Sequence, residues 1–370
     1  MEFLYIIIPA ILVAIGNYLI FQKKLIWQEV LGQVAGILAI MAMVVFGCSA
    51  GKKHDTEILN GHVINKARHE VSCRHSYKCN CYNTTSCDSK GHCTTTEHCS
   101  TCYEHSYDVD WDVYATTGMT QDEFSVDTID RQGLQEPPRW TAFKGGDPFM
   151  ENISYDNYVK ANADTIYKSH GNADQFKALI PAYPEGVSDY HTHLDRMIMV
   201  GASLPDLADW NRDLTTLNCS IGPVKQCNII MVVTQGQPES YYYGLSEAWL
   251  GGKKNDIIVM VDLNPDGTIQ WTNTISWAKN DIMRVKLRDD ILAVGKMDRV
   301  AVMGILNNNI SQHFIRKRMR EFKYLDSAII LTNTEFWWML VGALVLSIAI
   351  SVFIDMNDFG NTSGYGRDRY

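Results

Sequence analysis

No P-loop or GxGxxG pattern occurs in the 370 residues, and the one GxSxG match, Gly47 to Gly51, directly follows the apolar run at 25–46 instead of joining a strand to a helix. A glycine-rich phosphate cradle and a nucleophile elbow are therefore without support, and with them nucleotide-dependent and serine-hydrolase chemistry. A long basic run is also missing: 33 Lys and Arg stand against 42 Asp and Glu, for a formal charge of -9. Tracking a nucleic-acid backbone needs clustered cations, so no nucleic-acid partner is expected. Internal repeats and long low-complexity tracts are absent as well. What the chain does hold is 46 % hydrophobic residues, in long runs near both ends, and 10 cysteines.

The first apolar run, residues 3–21 (FLYIIIPAILVAIGNYLIF), and the second, residues 25–46, each have the length a helix needs to cross a hydrocarbon core. Only Gln22, Lys23 and Lys24 separate them, which makes a transmembrane hairpin within residues 1–49. Met1 and Glu2 supply no basic n-region, which disfavours a cleaved signal peptide. A third run, residues 336–354, is entered through Trp337 and Trp338, residue types that favour the headgroup level. Asn17 and Gln33 read as interhelical hydrogen-bonding groups rather than a transport site. The lipid bilayer is thus the first expected partner and other membrane proteins the second; residues 355–370 form a tail.

The flanking charges point to opposite topologies. Lys23 and Lys24 in the hairpin turn place that turn in the cytoplasm and residues 50–335 outside, whereas Lys52, Lys53 and the cluster Arg316, Lys317, Arg318, Arg320 and Lys323 favour the reverse. The first hairpin usually dominates, which tips the balance toward an extracytoplasmic large domain. The cluster itself, in HFIRKRMREFKY, reads as the solvated face of a helix or as a contact with anionic headgroups.

Seven of the 10 cysteines fall between Cys73 and Cys102, interleaved with histidines. Two readings compete. In a structural zinc site, Cys79-x-Cys81 and Cys99-x-x-Cys102 are the paired knuckles, with Cys73, His75 and His105 as further ligands; Cys87, Cys93, His92 and His98 offer a second site. A disulfide mesh suits an exported domain, although seven is odd and the histidines then have no role. Cys219 and Cys227 bracket a Gly222-Pro223 turn, and form either a disulfide or two buried free thiols. Cys48, at a membrane boundary, is a position for acylation.

The predicted fold class is a multi-domain α+β or α/β membrane protein. Residues 50–72 read as a polar connector within a Cys/His-rich β module spanning residues 50–150. In that module Tyr107, Val109, Trp111 and Val113 alternate with Asp108, Asp110 and Asp112, the period of a strand with one buried face. Further strands are expected around Phe124–Ile129 and Arg139–Phe143. Residues 151–325 read as a three-layer α/β domain. Its elements are a helix opening at Ser203 and Pro205, a buried strand at 228–234, a helix at 239–250, and a buried strand at 256–262. An NPDG turn, an outgoing strand, a helix marked by Met283, Leu287 and Ile291, and a last helix from Met297 through Tyr324 complete it.

From NIIMVVT through SEAWLGGKKNDIIVMVDLNPDGTIQWTNTIS, over about residues 195–295, the order of elements resembles the TPM-domain family of membrane-tethered α/β domains in bacteria and plastids. The segments SCRHSYKCNCY, CYEHSYDVDWDVY and DRQGLQEPPRW are similar to uncharacterised membrane proteins of tailed bacteriophages. The TPM resemblance implies either an accessory or scaffolding role or a divalent-metal-dependent phosphatase, with calcium or magnesium as the cofactor. In open α/β sheets ligands lie at the carboxyl ends of strands, which singles out Thr234, Asp262 and, on the preceding helix, Asp206. Asp262-x-Asn264-x-Asp266-Gly267 fits the first half of a calcium loop, but Asn273 stands where the twelfth-position Glu belongs, so a β-turn is the favoured reading. His191-Thr192-His193 has a metallohydrolase spacing without further ligands to complete it. The expected function is an interaction or accessory module in a host membrane, phage-encoded, with the phosphatase as the alternative.

Overall fold

The computed structural model describes residues 11–12, 15–16, 19, 27–117, 121–162, 171–185, 194–329 and 332–357. The chain divides into two compact units, residues 1–55 with 155–166 and 319–370, and residues 56–154 with 167–318.

The first unit is built on two long helices, α1 (Trp27–Lys53) and α6 (Asn333–Asn357). Stretches of both, Val34–Lys53 and Asn333–Ile350, are long and apolar enough to cross a membrane. Ile37 and Met41 of α1 pack on Met339 and Ala343 of α6. Lys52, at the end of α1, pairs with Glu335, at the start of α6, so the two helices run antiparallel. Lys53 pairs with Asp326 at 3.1 Å. The outer faces carry exposed Leu31, Phe46, Trp337, Trp338 and Val345, side chains that suit acyl tails and the headgroup level. The expected span at 3–21, and with it the hairpin, lies outside the described residues except for helical positions 11, 12, 15, 16 and 19.

In the second unit the chain forms two four-stranded sheets and a two-stranded ribbon. The stretch expected as a connector is instead strand β1 (His54–Val71). Its polar residues misled the reading because they are buried with partners. Glu57 receives Lys254 at 2.8 Å and also Arg316, while Asn60 donates to the Cys227 carbonyl at 2.9 Å. After β1 come β2 (Ser76–Cys87) and β3 (Cys93–Tyr103), then β4 (Asp108–Thr116), β5 (Gln121–Val126) and β6 (Pro148–Asp156). The first sheet has the order β5-β4-β1-β6, and β2-β3 form the ribbon. Val109, Trp111, Val113 and Ala115 of β4 supply the alternating buried face, against Phe124, Phe143 and Phe149. Pro138–Ala142 is a short helix where a strand was expected: Pro137-Pro138 opens it, proline being suited to a first helical turn.

The second sheet follows the three-layer expectation closely. Strands β7 (Met197–Val200), β8 (Asn228–Gln235) and β9 (Asp256–Leu263) are parallel, and β10 (Ile269–Ser276) returns antiparallel to β9. Helices α2 (Leu207–Lys225), α4 (Ile282–Val294) and α5 (Arg299–His313) cover one face, and α3 (Tyr241–Ala248) the other. Ile229, Met231 and Val233 pack beneath α2, α4 and α5, whereas Ile230 and Val232 pack with Tyr241, Leu245 and Trp249. Burial on both faces is the reason β8 reads as an unbroken apolar run. Each such side chain contributes about 2 kcal/mol when removed from water.

Two helix boundaries depart from expectation. Gly222 and Pro223 do not make a turn; α2 runs through them to Lys225 and closes on Gln226 in a left-handed conformation. Gly222 is needed for close approach, because a Cβ there would sit 2.6 Å from the Asn60 carbonyl oxygen of β1. The expected final helix breaks in two. Phe314, 2 % exposed, leaves α5 in an extended conformation to enter the core, and a 3-10 helix (Met319–Ala328) begins only later. Within the cluster HFIRKRMREFKY, Arg316 therefore turns inward to Glu57 and Gln226.

Candidate metal site and strand-end acid

The ribbon answers the question of cysteine chemistry. Disulfides join Cys79 to Cys102, Cys81 to Cys99 and Cys87 to Cys93, all across the β2-β3 pair. Its tip is set by Asp88, whose carboxylate accepts from the Lys90 and His92 amides, both at 2.9 Å, and by Gly91 at φ 83°. A positive φ suits glycine because it has no Cβ to clash. These amides also hold the Asp88 carboxyl below its ordinary pKa. Of the seven zinc candidates, Cys79, Cys81, Cys99 and Cys102 are thus bound as disulfide sulfurs, which have no thiolate to give.

The remaining three come together at the foot of the ribbon. Cys73, His75, His105 and Asp108 place one ligand atom each within 4.8 Å of one another. Cys73 is the odd cysteine of the segment, a free thiol 5 % exposed. Its Sγ donates to the His75 carbonyl at 3.4 Å, and the Glu104 amide reaches the same carbonyl at 3.1 Å, tying the two stems together. Asp108 opens β4 opposite Val71 of β1. Its Oδ2 accepts from the Arg74 amide at 2.7 Å and its Oδ1 meets His105 Nε2. The Arg74 N–H is the foremost cause of a lowered Asp108 pKa, with the His105 contact adding to it, so the group is held as a carboxylate. Asp108 belongs to the alternating run of Asp108, Asp110 and Asp112, read from the sequence as a solvent-facing row. The signal that marks it out is its position three residues after His105.

Thr234 and Asp262 lie at the carboxyl ends of β8 and β9, where they are in register. Thr234 Oγ1 donates to Asp262 Oδ1 at 2.6 Å, and the Gln237 amide donates to the same oxygen at 2.9 Å. Both side chains are fully buried, and Asp262 Oδ2 has no hydrogen-bond partner among the described residues. Asp206 is not brought to them by any hydrogen bond among the described residues; it sits before α2 in a left-handed conformation. Asn264 to Thr268 form the expected turn, closed by Gly267 N–H to the Asn264 carbonyl at 2.9 Å. His191 and His193 lie outside the described residues.

Cys219 and Cys227 are not joined, contrary to the disulfide alternative: both are buried free thiols. The continuation of α2 past Gly222 explains this. Cys219 lies against the Phe149 and Gly61 backbone, whereas Cys227 enters the core under α2. Burial pushes the Cys227 thiol up to about 12, so it is not a nucleophile at neutral pH.

Two further buried polar groups lie apart from the predicted site residues. Arg196, 1 % exposed, donates to Asn60 and faces Met150 Sδ at 3.0 Å, and burial lowers its pKa to about 10. Asp256, at the entry to β9, accepts from Asn228 Nδ2 at 2.9 Å and from the Tyr183 hydroxyl and Lys253 amide at 2.7 Å each. Burial nevertheless raises it to about 6.

Compared with family models, curated proteins and solved structures, the chain matches none. The fold and site by themselves define the class: a membrane-anchored protein with an α/β domain and a cysteine-clustered β region, bearing residues able to coordinate a metal ion.

Proposed function

We propose that this protein is an accessory or interaction module of the membrane, presenting its extramembrane unit to other membrane proteins in an oxidising compartment. One observation carries the reading. The ribbon Ser76–Tyr103 is exposed along nearly its whole length and held by three disulfides, so it can present a surface without a large ordering cost on binding. Exposed Tyr77, Tyr82 and Tyr103 along it are residue types that anchor protein interfaces. Disulfides persist in oxidising compartments, which supports an extracytoplasmic side for this unit. The TPM resemblance supports the accessory role, and the second resemblance supports a phage origin. The test is photocrosslinking in intact membranes from probes at Tyr77 and Tyr82, compared with a probe at exposed Val300. A discrete adduct from ribbon probes alone is expected, and equal labelling from all three sites would count against the reading.

The alternative, a metal-dependent phosphatase of TPM type, is favoured by Asp262, whose buried Oδ2 lacks a partner among the described residues at the end of a parallel strand. Phosphoester hydrolysis that requires calcium, magnesium or manganese and is lost in Asp262→Asn is its expected signature. Activity indifferent to that substitution would rule it out.

A further inference from the structure

Beyond the interaction reading and independent of it, we propose that Cys73, His75, His105 and Asp108 form a single four-coordinate zinc site that clamps the foot of the disulfide ribbon. The four ligands come from both ends of one excursion. Cys73 and His75 precede β2, while His105 and Asp108 follow β3. The disulfides staple the ribbon above this point but leave the two stems to be held by hydrogen bonds. A metal ion bound here fixes both stems and the start of β4 at once.

The donor set selects the ion. One thiolate, two imidazoles and one carboxylate suit zinc, whereas calcium and magnesium take oxygen ligands. Tetrahedral zinc requires ligand atoms about 3.3–3.7 Å apart, from Zn–S near 2.3 Å and Zn–N or Zn–O near 2.0 Å. The observed limit of 4.8 Å is close enough for side-chain rotation to complete the geometry. Part of the site is already built: Asp108 is buried and fixed by the Arg74 amide, and Cys73 is buried against the His75 carbonyl. His75 is exposed and closes the site from solvent. On binding, the Cys73 thiol releases its proton to solvent, and the His105–Asp108 contact gives way to the ion, His105 binding as a neutral imidazole that keeps its one proton on the ring nitrogen turned away from the metal. Four protein ligands fill the tetrahedron, which makes the site structural rather than hydrolytic. The cluster also accounts for the one cysteine of the segment left outside the three disulfides.

The test uses the full-length protein in detergent, never exposed to reductant, stripped with a chelator and reloaded with zinc or cobalt. The expected result is one zinc per chain by elemental analysis, and with cobalt a thiolate-to-metal charge-transfer band accompanied by the strong visible bands of four-coordination. Cys73→Ala should abolish the charge-transfer band. Loss of an outer-shell partner already costs about 10–100-fold in metal affinity, so His75→Ala, at an exposed position that does not threaten folding, should weaken zinc at least about 100-fold. Zinc absent from the oxidised wild type, or bound by Cys73→Ala and His75→Ala as tightly as by the wild type, would overturn the proposal.

Discussion

Asp256 makes stability depend on pH in a direction opposite to that of an ordinary ion-paired carboxylate. It is fully buried at the start of β9, and although Asn228, Tyr183 and Lys253 all donate to it, burial raises its pKa from 3.8 to about 6. The folded protein thus holds this proton more tightly than the unfolded chain does. Its stabilising contribution is complete below pH 3.8 and is lost as pH rises through about 6. The rise from 3.8 to about 6 corresponds to roughly 3 kcal/mol across that window. Asp256→Asn removes the titration while keeping the volume. Its amide faces that of Asn228, which lowers overall stability, so the slope against pH is the quantity to read. Thermal unfolding of the detergent-solubilised protein, followed by tryptophan fluorescence from pH 4 to 8, should show the wild type losing stability relative to the variant as pH rises. Parallel profiles for the two proteins would refute the reasoning.

Other perturbations follow from the packing. Gly222→Ala puts a Cβ 2.6 Å from the Asn60 backbone, an overpacking that costs about 1–3 kcal/mol, and denaturant unfolding should show a net loss despite the better helix propensity of alanine. Leu287→Ala empties a fully buried position between α4 and the second sheet, and should cost about 2–5 kcal/mol by the same measurement. Reduction of the three disulfides should release hydrogen-exchange protection across Ser76–Tyr103 while leaving β8 and β9 protected, because an isolated two-stranded ribbon is only marginally stable in water. Lys52→Ala removes a partly exposed ion pair and should change stability by no more than about 1 kcal/mol.

The second sheet was legible because its strands are covered on both sides. NIIMVVT and DIIVMVD are continuous apolar runs, and the Asn264-Pro265-Asp266-Gly267 turn between β9 and β10 carries its own chemistry in Gly267 at φ 80°. What failed to show was polar residues buried by partners distant in sequence. Glu57 meets Lys254 and Arg316, and Asn60 meets Arg196 and Cys227; neither pairing leaves a periodic trace, so β1 looked like a connector. The Gly222-Pro223 pair looked like a turn because its reason is tertiary, the approach of α2 to Asn60. The cysteine segment was ambiguous for a different reason. Spacing brings Cys79, Cys81, Cys99 and Cys102 together in either chemistry, and only the pairing register of β2 with β3 separates the disulfides from the group at Cys73.

The central claim is that the ribbon is oxidised and that the metal-capable group at its foot is separate from it. A count of free thiols in the denatured, never-reduced protein tests this most directly. Four per chain are predicted, from Cys48, Cys73, Cys219 and Cys227. Near ten would contradict the account, returning the knuckle cysteines to the role of metal ligands and the extramembrane unit to a reducing compartment.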